Sequence, residues 1–186
     1  LVGPGQLPNG FLLPVVRSRL ATQHPVRRIL WEQLILPSRL RQMGAELLHA
    51  PAFVGSLLSS CRQVITVHDL SFLRHPEFFR KGNRVYLSLM TGIACRRAEA
   101  VIAVSDFTAR EVVALLRVAP ERVVRIYHGV AERFHPLPSA AVAQFRRDKG
   151  LPERFVLFMG TLEKRKNLIR LVRAFARLTD PALHLV

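Results

Sequence analysis

The 186-residue sequence predicts an α/β protein whose parallel sheet is doubly wound and Rossmann-like. Three observations carry that prediction. Short apolar runs bounded by polar or turn residues, such as QVITVHD at 63–69 and AVIAVS at 100–105, alternate with longer amphipathic stretches. The runs do not alternate apolar with polar, so both of their faces are expected to be covered. A strand, glycine, helix pattern then starts afresh in FVLFMGTLEKRKNLIRL at 155–171, which predicts a second α/β unit.

The chain opens with LVGPGQLPNGFLLP, where three Pro and three Gly in 14 residues predict a loop. From Arg27 to Met43, Ile29, Leu30, Gln33, Leu34 and Leu40 fall near helical spacing, with Pro37 placed to interrupt or kink the helix. AELLHAP at 45–51 and QVITVHD at 63–69 predict buried parallel strands, and 83–100 predicts a helix. The strand at 100–105 runs straight into Ser105. In the helix that follows (DFTAREVVALLRV), Ser105 or Thr108 is the expected N-cap, and Thr108 and Glu111 have capping-box spacing. RVVRIYHGV at 122–130 predicts a further strand and a glycine turn.

A change of character follows. Pro136 and Pro138 stand close together, a helical patch comes next, and then GLP at 150–152 precedes strand FVLFMG, helix NLIRLVRAFARL and the beginning of a strand at ALHLV. This places a boundary near 131–138. Residues 1–134 are then expected to form one Rossmann-like domain lacking its first strand and loop. Residues 135–186 would be a linker and the start of a second, truncated domain.

Charge narrows the partners. Only 13 acidic residues face 28 basic ones, a formal net charge of +15, so polyanions, acidic membrane surfaces and phosphorylated ligands are favoured as a group. The two cysteines, Cys61 and Cys95, form no Cys-x-x-Cys pair and no His cluster accompanies them. A zinc site or disulfide framework is not expected, which fits a reducing cytoplasm. No apolar run approaches the ~18 residues of a membrane span, and no basic leader with an apolar stretch opens the chain, which begins at Leu1.

Lys164, Arg165 and Lys166 then stand out. The amides that open a helix carry about half a positive charge, so cations are disfavoured there unless an anion is close. A strand feeding through glycine into a helix presents free N–H groups at the carboxyl edge of a sheet, where α/β proteins bind phosphates. Gly160 permits close approach of a ligand. Leu168, Leu171, Val172 and Phe175 share the face expected to dock on the sheet. Arg165 would offer a planar fork and Lys166 a mobile point charge to a diphosphate. A solvated basic loop accounts for the same residues.

VITVHDLSFLRHPEFF, VIAVSDFTAREVV, RVVRIYHGV and FVLFMGTLEKRKNLIRLVRAF, in that order across 27–186, resemble family 4 of the retaining glycosyltransferases, in particular the branch of bacterial mannosyltransferases of surface-polysaccharide assembly. The resemblance implies a GT-B architecture and metal-free, retaining transfer of a hexose from a nucleotide-sugar to a glycan or lipid-linked acceptor. It implies no cofactor, the nucleotide-sugar being a substrate, with GDP-mannose the donor suggested by the branch. Arg165 and Lys166, with Gly160, Thr161 and Asn167 around them, would hold the diphosphate, and His68 would contact the donor sugar. Asp69 could accept a bond from a sugar hydroxyl or close a turn, and Ser105 could touch phosphate or acceptor besides capping its helix. Where many relatives have Arg after the strand glycine, Thr161 stands here, shifting the grip onto Arg165 and Lys166. Pro is common in this branch at the place of Lys164, and Asn at that of His128. The family's glycine-rich loop would lie before Leu1 and its acidic pair after Val186, so the chain as given is expected not to turn over.

Two other classes remain. TAREVVALLRVAPERVVRIY superficially suits a helix-turn-helix for nucleic acid, but PERVVRIY is short, β-branched and better suited to a strand, so no nucleic-acid partner is expected. Val26 to Met43 mixes Arg27, Arg28, Arg39 and Arg41 with Ile29, Leu30, Trp31 and Leu34, a composition suited to an anionic lipid surface or to core packing. A cytoplasmic protein touching the inner face of the cytoplasmic membrane would combine the membrane contact with the enzyme.

Overall fold

The computed structural model describes residues 24–186. The expected opening loop and the question of a preceding strand lie outside the described residues. By its internal contacts the chain divides into two compact units, Leu1–His128 and Gly129–Val186.

In the first unit, helix α1 (Pro25–Leu30) continues through a π-helical stretch, Trp31–Ile35, into α2 (Leu36–Gln42). Pro37 therefore does not interrupt the helix. A proline ring clashes with the carbonyl four residues back, here that of Gln33, and the wider π turn immediately before it removes the clash. The Leu36 N–H accordingly reaches back five residues, to the Trp31 carbonyl.

Four parallel strands follow, β1 (Leu47–Ala50), β2 (Arg62–Val67), β3 (Ala100–Ala103) and β4 (Val123–Arg125), in the spatial order β1-β2-β3-β4. A short helix α3 (Ser71–Arg74), a 3-10 turn at Pro76–Phe78 and the long α4 (Lys81–Arg97) link β2 to β3, and α5 (Asp106–Leu116) links β3 to β4. Ile65 and Val67 of β2, Val101 and Ala103 of β3, Phe72 of α3, Ala94 and Cys95 of α4, and Val112 and Leu116 of α5 are buried. The carboxyl half of β2, Ile65 to Val67, is buried at every position, as a strand covered on both faces must be. The expected burial of the strand at 45–51 is not met, since Leu47 and His49 of β1 are exposed at the sheet edge; Val124 of β4 is exposed too, and β3 is fully buried only at Val101 and Ala103, so burial at every position is confined to the end of β2 among the described residues.

The segment from Pro120 that a helix-turn-helix would need as its recognition helix is one 3-10 turn, Pro120–Arg122, followed by β4. Its β-branched valines fit the pleated ladder with Val101 and Ile102.

In the second unit α6 (Ser139–Asp148) leads to β5 (Arg154–Val156), a 3-10 turn (Lys164–Lys166), α7 (Leu168–Phe175) and β6 (Leu183–Leu185), which pairs in parallel with β5. Gly150, just past the end of α6, has φ +60°, the left-handed turn that ends many helices and that glycine adopts without strain. Leu168, Leu171 and Phe175 of α7 are half-buried, but Val172 is half-exposed at 50% and so departs from the expected docking face.

Candidate functional site

At the carboxyl edge of the first sheet, β2 delivers His68 and Asp69, β3 delivers Ser105, and the chain past β4 delivers Tyr127 and His128. His68 Nε2–H donates to the Pro51 carbonyl at 2.7 Å. A carbonyl only accepts, so the proton is on Nε2. The His68 ring stacks on His128, with centroids 5.4 Å apart and planes 15° from parallel, and meets the edge of Phe53 at 5.8 Å.

Asp69 closes a turn: its Oδ1 accepts from the Ser71 N–H at 2.8 Å and from the Ser71 hydroxyl at 2.5 Å, tying β2 to the start of α3. Ser105 is the N-cap of α5, its Oγ accepting from the Thr108 N–H at 3.1 Å. The expected Thr108–Glu111 capping box is not formed. The Thr108 hydroxyl donates instead to the His68 carbonyl at 3.2 Å, and Glu111, buried, receives a two-pronged guanidinium from Arg74 on α3. That ion pair and hydroxyl pin α3, α5 and the His68 loop together. Asp106, first residue of α5, is held by Arg125 at 2.8 Å and by the Tyr127 hydroxyl at 2.8 Å, whose own proton is thereby held more tightly than in a free phenol.

At the carboxyl end of β5 the geometry differs from expectation. Lys164, Arg165 and Lys166 do not open α7. They form their own 3-10 turn, closed by Lys166 N–H to Glu163 O and Asn167 N–H to Lys164 O, both at 3.0 Å. Asn167 takes a left-handed conformation, φ +53°, and α7 begins at Leu168. The reason is local: asparagine tolerates that conformation, which ends one turn and starts the next, so the three cations precede the first turn of α7 instead of forming it.

Arg165 is not free, for its guanidinium donates to Glu163 Oε1 at 2.7 Å, and the Thr161 hydroxyl donates to the same oxygen at 3.2 Å. Lys164 and Lys166 have no ion pair among the described residues. The Lys166 stem lies over Gly160, where an added Cβ would stand 3.9 Å from its Cε. Asn167 faces a hollow of about 640 Å³ lined also by Ile169, Arg170, Arg173 and Arg177.

Two groups of predicted residues thus emerge, His68, Asp69 and Ser105 at the rim of the first sheet, and Gly160, Thr161, Arg165, Lys166 and Asn167 at the end of β5. Sequence reasoning missed Glu163 as the partner of Arg165, although its position two residues away was visible. It also missed His128 and Phe53 as walls around His68; only tertiary contact reveals those. Among the described residues no group of three or more His, Cys, Asp or Glu could hold a metal ion, and no helix is long and apolar enough to cross a membrane.

The chain matches the model of Glycosyltransferase Family 4 over residues 3–134. It is 32% identical over 120 residues to the serotype-specific mannosyltransferase WbdA of Escherichia coli, the match covering 63% of this chain and 15% of WbdA. It is 26% identical over 115 residues to the O-antigen chain mannosyltransferase B of the same organism, covering 61% of this chain and 30% of that protein. The chain therefore spans well under half of these relatives. Among solved structures it is similar to Anabaena Alr3699/HepE in complex with UDP-glucose, with TM-score 0.63 and 18% identity, covering 88% of this chain and 50% of that one. A glycosyltransferase from Rickettsia africae ESF-5 matches with TM-score 0.54 and 16% identity over 88% of this chain and 44% of that one. The parallel sheet with its alternating helices is the Rossmann-like fold of GT-B glycosyltransferases, and with the family model covering residues 3–134, this chain belongs to glycosyltransferase family 4.

Proposed function

We propose that the protein transfers a hexose, mannose in the first instance, from a nucleotide-sugar donor to a glycan or lipid-linked acceptor in surface-polysaccharide synthesis, with retention of anomeric configuration. The observation that carries this is the basic turn Lys164–Lys166, four residues past Gly160 on the segment that follows β5, in a chain of this family. As the bond from sugar to diphosphate breaks, negative charge grows on the departing diphosphate. Lys166 and the guanidinium of Arg165 supply compensating charge, and fixed donors aimed at growing charge are worth about 3–4 kcal/mol each in other enzymes. His68, with its proton on Nε2, has Nδ1 to accept a sugar hydroxyl. Mannose is favoured by the names of the relatives, WbdA and O-antigen chain mannosyltransferase B, and GDP-mannose is the donor we put first.

Calorimetric titration with GDP-mannose and with UDP-glucose, read alongside backbone amide NMR, tests this. The expected result is heat with GDP-mannose and shifts confined to the Gly160–Asn167 segment and His68. No heat and no shift with either donor would overturn it.

A membrane-surface contact is favoured by a separate observation. Val26, Leu30 and Leu34, spaced four apart on α1 and its continuation, are 57%, 52% and 60% exposed, and Arg27 and Arg28 lie beside them. Such a face fits the inner leaflet of the cytoplasmic membrane. Sedimentation with vesicles of one-third phosphatidylglycerol is expected to pull the protein down at low salt and less at high salt; absence of binding at every salt concentration would remove it.

A further inference from the structure

β2 and β4 are not neighbours. β3 lies between them, which puts their axes about 10 Å apart. The residue that follows β2 and the third residue past β4 nonetheless stack ring on ring, His68 on His128. The three strands end level, Val67, Ala103 and Arg125 being in register, and past that point the chain after β3 turns through Ser105 into α5 while the chains after β2 and β4 run on to His68 and His128. The Ile126 N–H still bonds to the Ala103 carbonyl at 2.9 Å, so the chain past β4 is held in the sheet to within two residues of His128.

Two further sides of His68 are occupied. The Pro51 carbonyl takes the Nε2 proton, and Phe53 presses on the ring at 69° to it. Phe53 has φ +63°, a left-handed conformation that costs a bulky residue of order 1–3 kcal/mol. It is kept there by its N–H bond to the Thr66 carbonyl at 3.0 Å and by edge-to-face packing on the buried Phe72 at 5.9 Å. A strained backbone that aims an aromatic edge at one imidazole, and a second imidazole laid over its face, are more than a histidine that only caps a turn requires.

We infer that His128 is a positioning residue: with Phe53 and the Pro51 carbonyl it clamps His68 in the single tautomer with the proton on Nε2, leaving Nδ1 as the acceptor for a hydroxyl of the bound sugar. The role of Nδ1 rests on the glycosyl-transfer reading above; the clamp does not.

Long-range proton–nitrogen correlation of the ligand-free protein at pH 8 reads the tautomer directly. The expected spectrum gives His68 one pyrrole-type and one pyridine-type nitrogen. His128→Ala frees the ring to turn away from Pro51, so the two nitrogens move toward a common averaged shift, while His128→Phe, which keeps a flat ring over His68, restores the original pair. His128 is exposed, so losing its ring leaves the buried core intact. If His128→Ala keeps the wild-type pattern, or His128→Phe behaves like His128→Ala, the clamp is wrong. Addition of GDP-mannose to the wild type is expected to move the Nδ1 resonance alone; if it does not, while the tautomer pattern is as described, the sugar contact falls and the clamp stands.

Discussion

Replacing Glu163 with Gln is expected to tighten the binding of a nucleoside diphosphate, although it removes the partner of a residue assigned to bind it. The turn from Thr161 to Asn167 carries three cations and one carboxylate, a net +2, and that carboxylate holds Arg165 at 2.7 Å with both side chains 42% exposed. An ion pair this open is worth at most about 1 kcal/mol, and Arg165 must give up that much to turn to a phosphate. The carboxylate also repels the ligand directly. Two unit charges roughly 7 Å apart in water repel by about 0.6 kcal/mol, and a diphosphate carries two or more negative charges, screened at physiological salt to about half. The two effects together give about 1 kcal/mol, near fivefold in affinity. Lys166→Ala, by contrast, removes a cation that has no ion pair among the described residues and loses roughly 1.5–3 kcal/mol, 10-fold or more. Arg165→Ala falls between. Calorimetry with GDP at 50 and 150 mM salt reads all three, and the Glu163→Gln gain is expected to shrink at the higher salt. Weaker binding by Glu163→Gln would mean that Glu163 holds Arg165 ready for the ligand, and equal binding by all three variants would mean that this turn does not meet the phosphates.

Three further changes probe the scaffold around the sites. Ser105→Ala removes the acceptor for the Thr108 N–H and is expected to cost about 1 kcal/mol in urea unfolding, with no change in GDP affinity. Gly55→Ala would drive a methyl group into the Gln63 side-chain oxygen and to 2.8 Å from Ile65 Cδ1, and because the Gln63 amide is also bonded to the Ser56 carbonyl at 2.7 Å it cannot simply swing away; a loss of about 1–3 kcal/mol is expected from the same measurement. Burial pushes the Cys95 thiol up to about 12 from the 9.0 of a free thiol, so the unfolded chain loses its proton first. The stability tied to that proton is intact below pH 9 and falls as pH rises from there toward 12, by about 1 kcal/mol at pH 10, a loss that Cys95→Ala should abolish in the slope of stability against pH.

Much of the scaffold was legible in the residues. Runs such as VITV and AVIA carry no charged face to turn to solvent, which fits strands in a covered parallel sheet; VITV is buried at its last three positions, whereas AVIA is fully buried only at Val101 and Ala103. The same holds for Ser105, whose hydroxyl caps its own helix three residues on and needs nothing remote. The match to glycosyltransferase family 4 likewise rests on motifs whose order is written in the chain.

What could not be read there depends on distance in space rather than in sequence. Pro37 does not break its helix because a π turn widens the backbone before it. Lys164 to Lys166 leave the helix because Asn167 can adopt a left-handed conformation that separates two turns, and residue types allow that choice without requiring it. The pairing of the buried Glu111 with the half-exposed Arg74, 37 residues apart, displaced a plausible capping box because a carboxylate taken out of water needs a full charge more than it needs an amide. The stacking of His68 on His128 exists only once β2 and β4 flank β3 in register and the chain past β3 has turned away into α5. Contacts within a few residues are set by covalent geometry and propensity; those that aim His68 are set by which strands become neighbours, and no stretch of sequence contains that information alone.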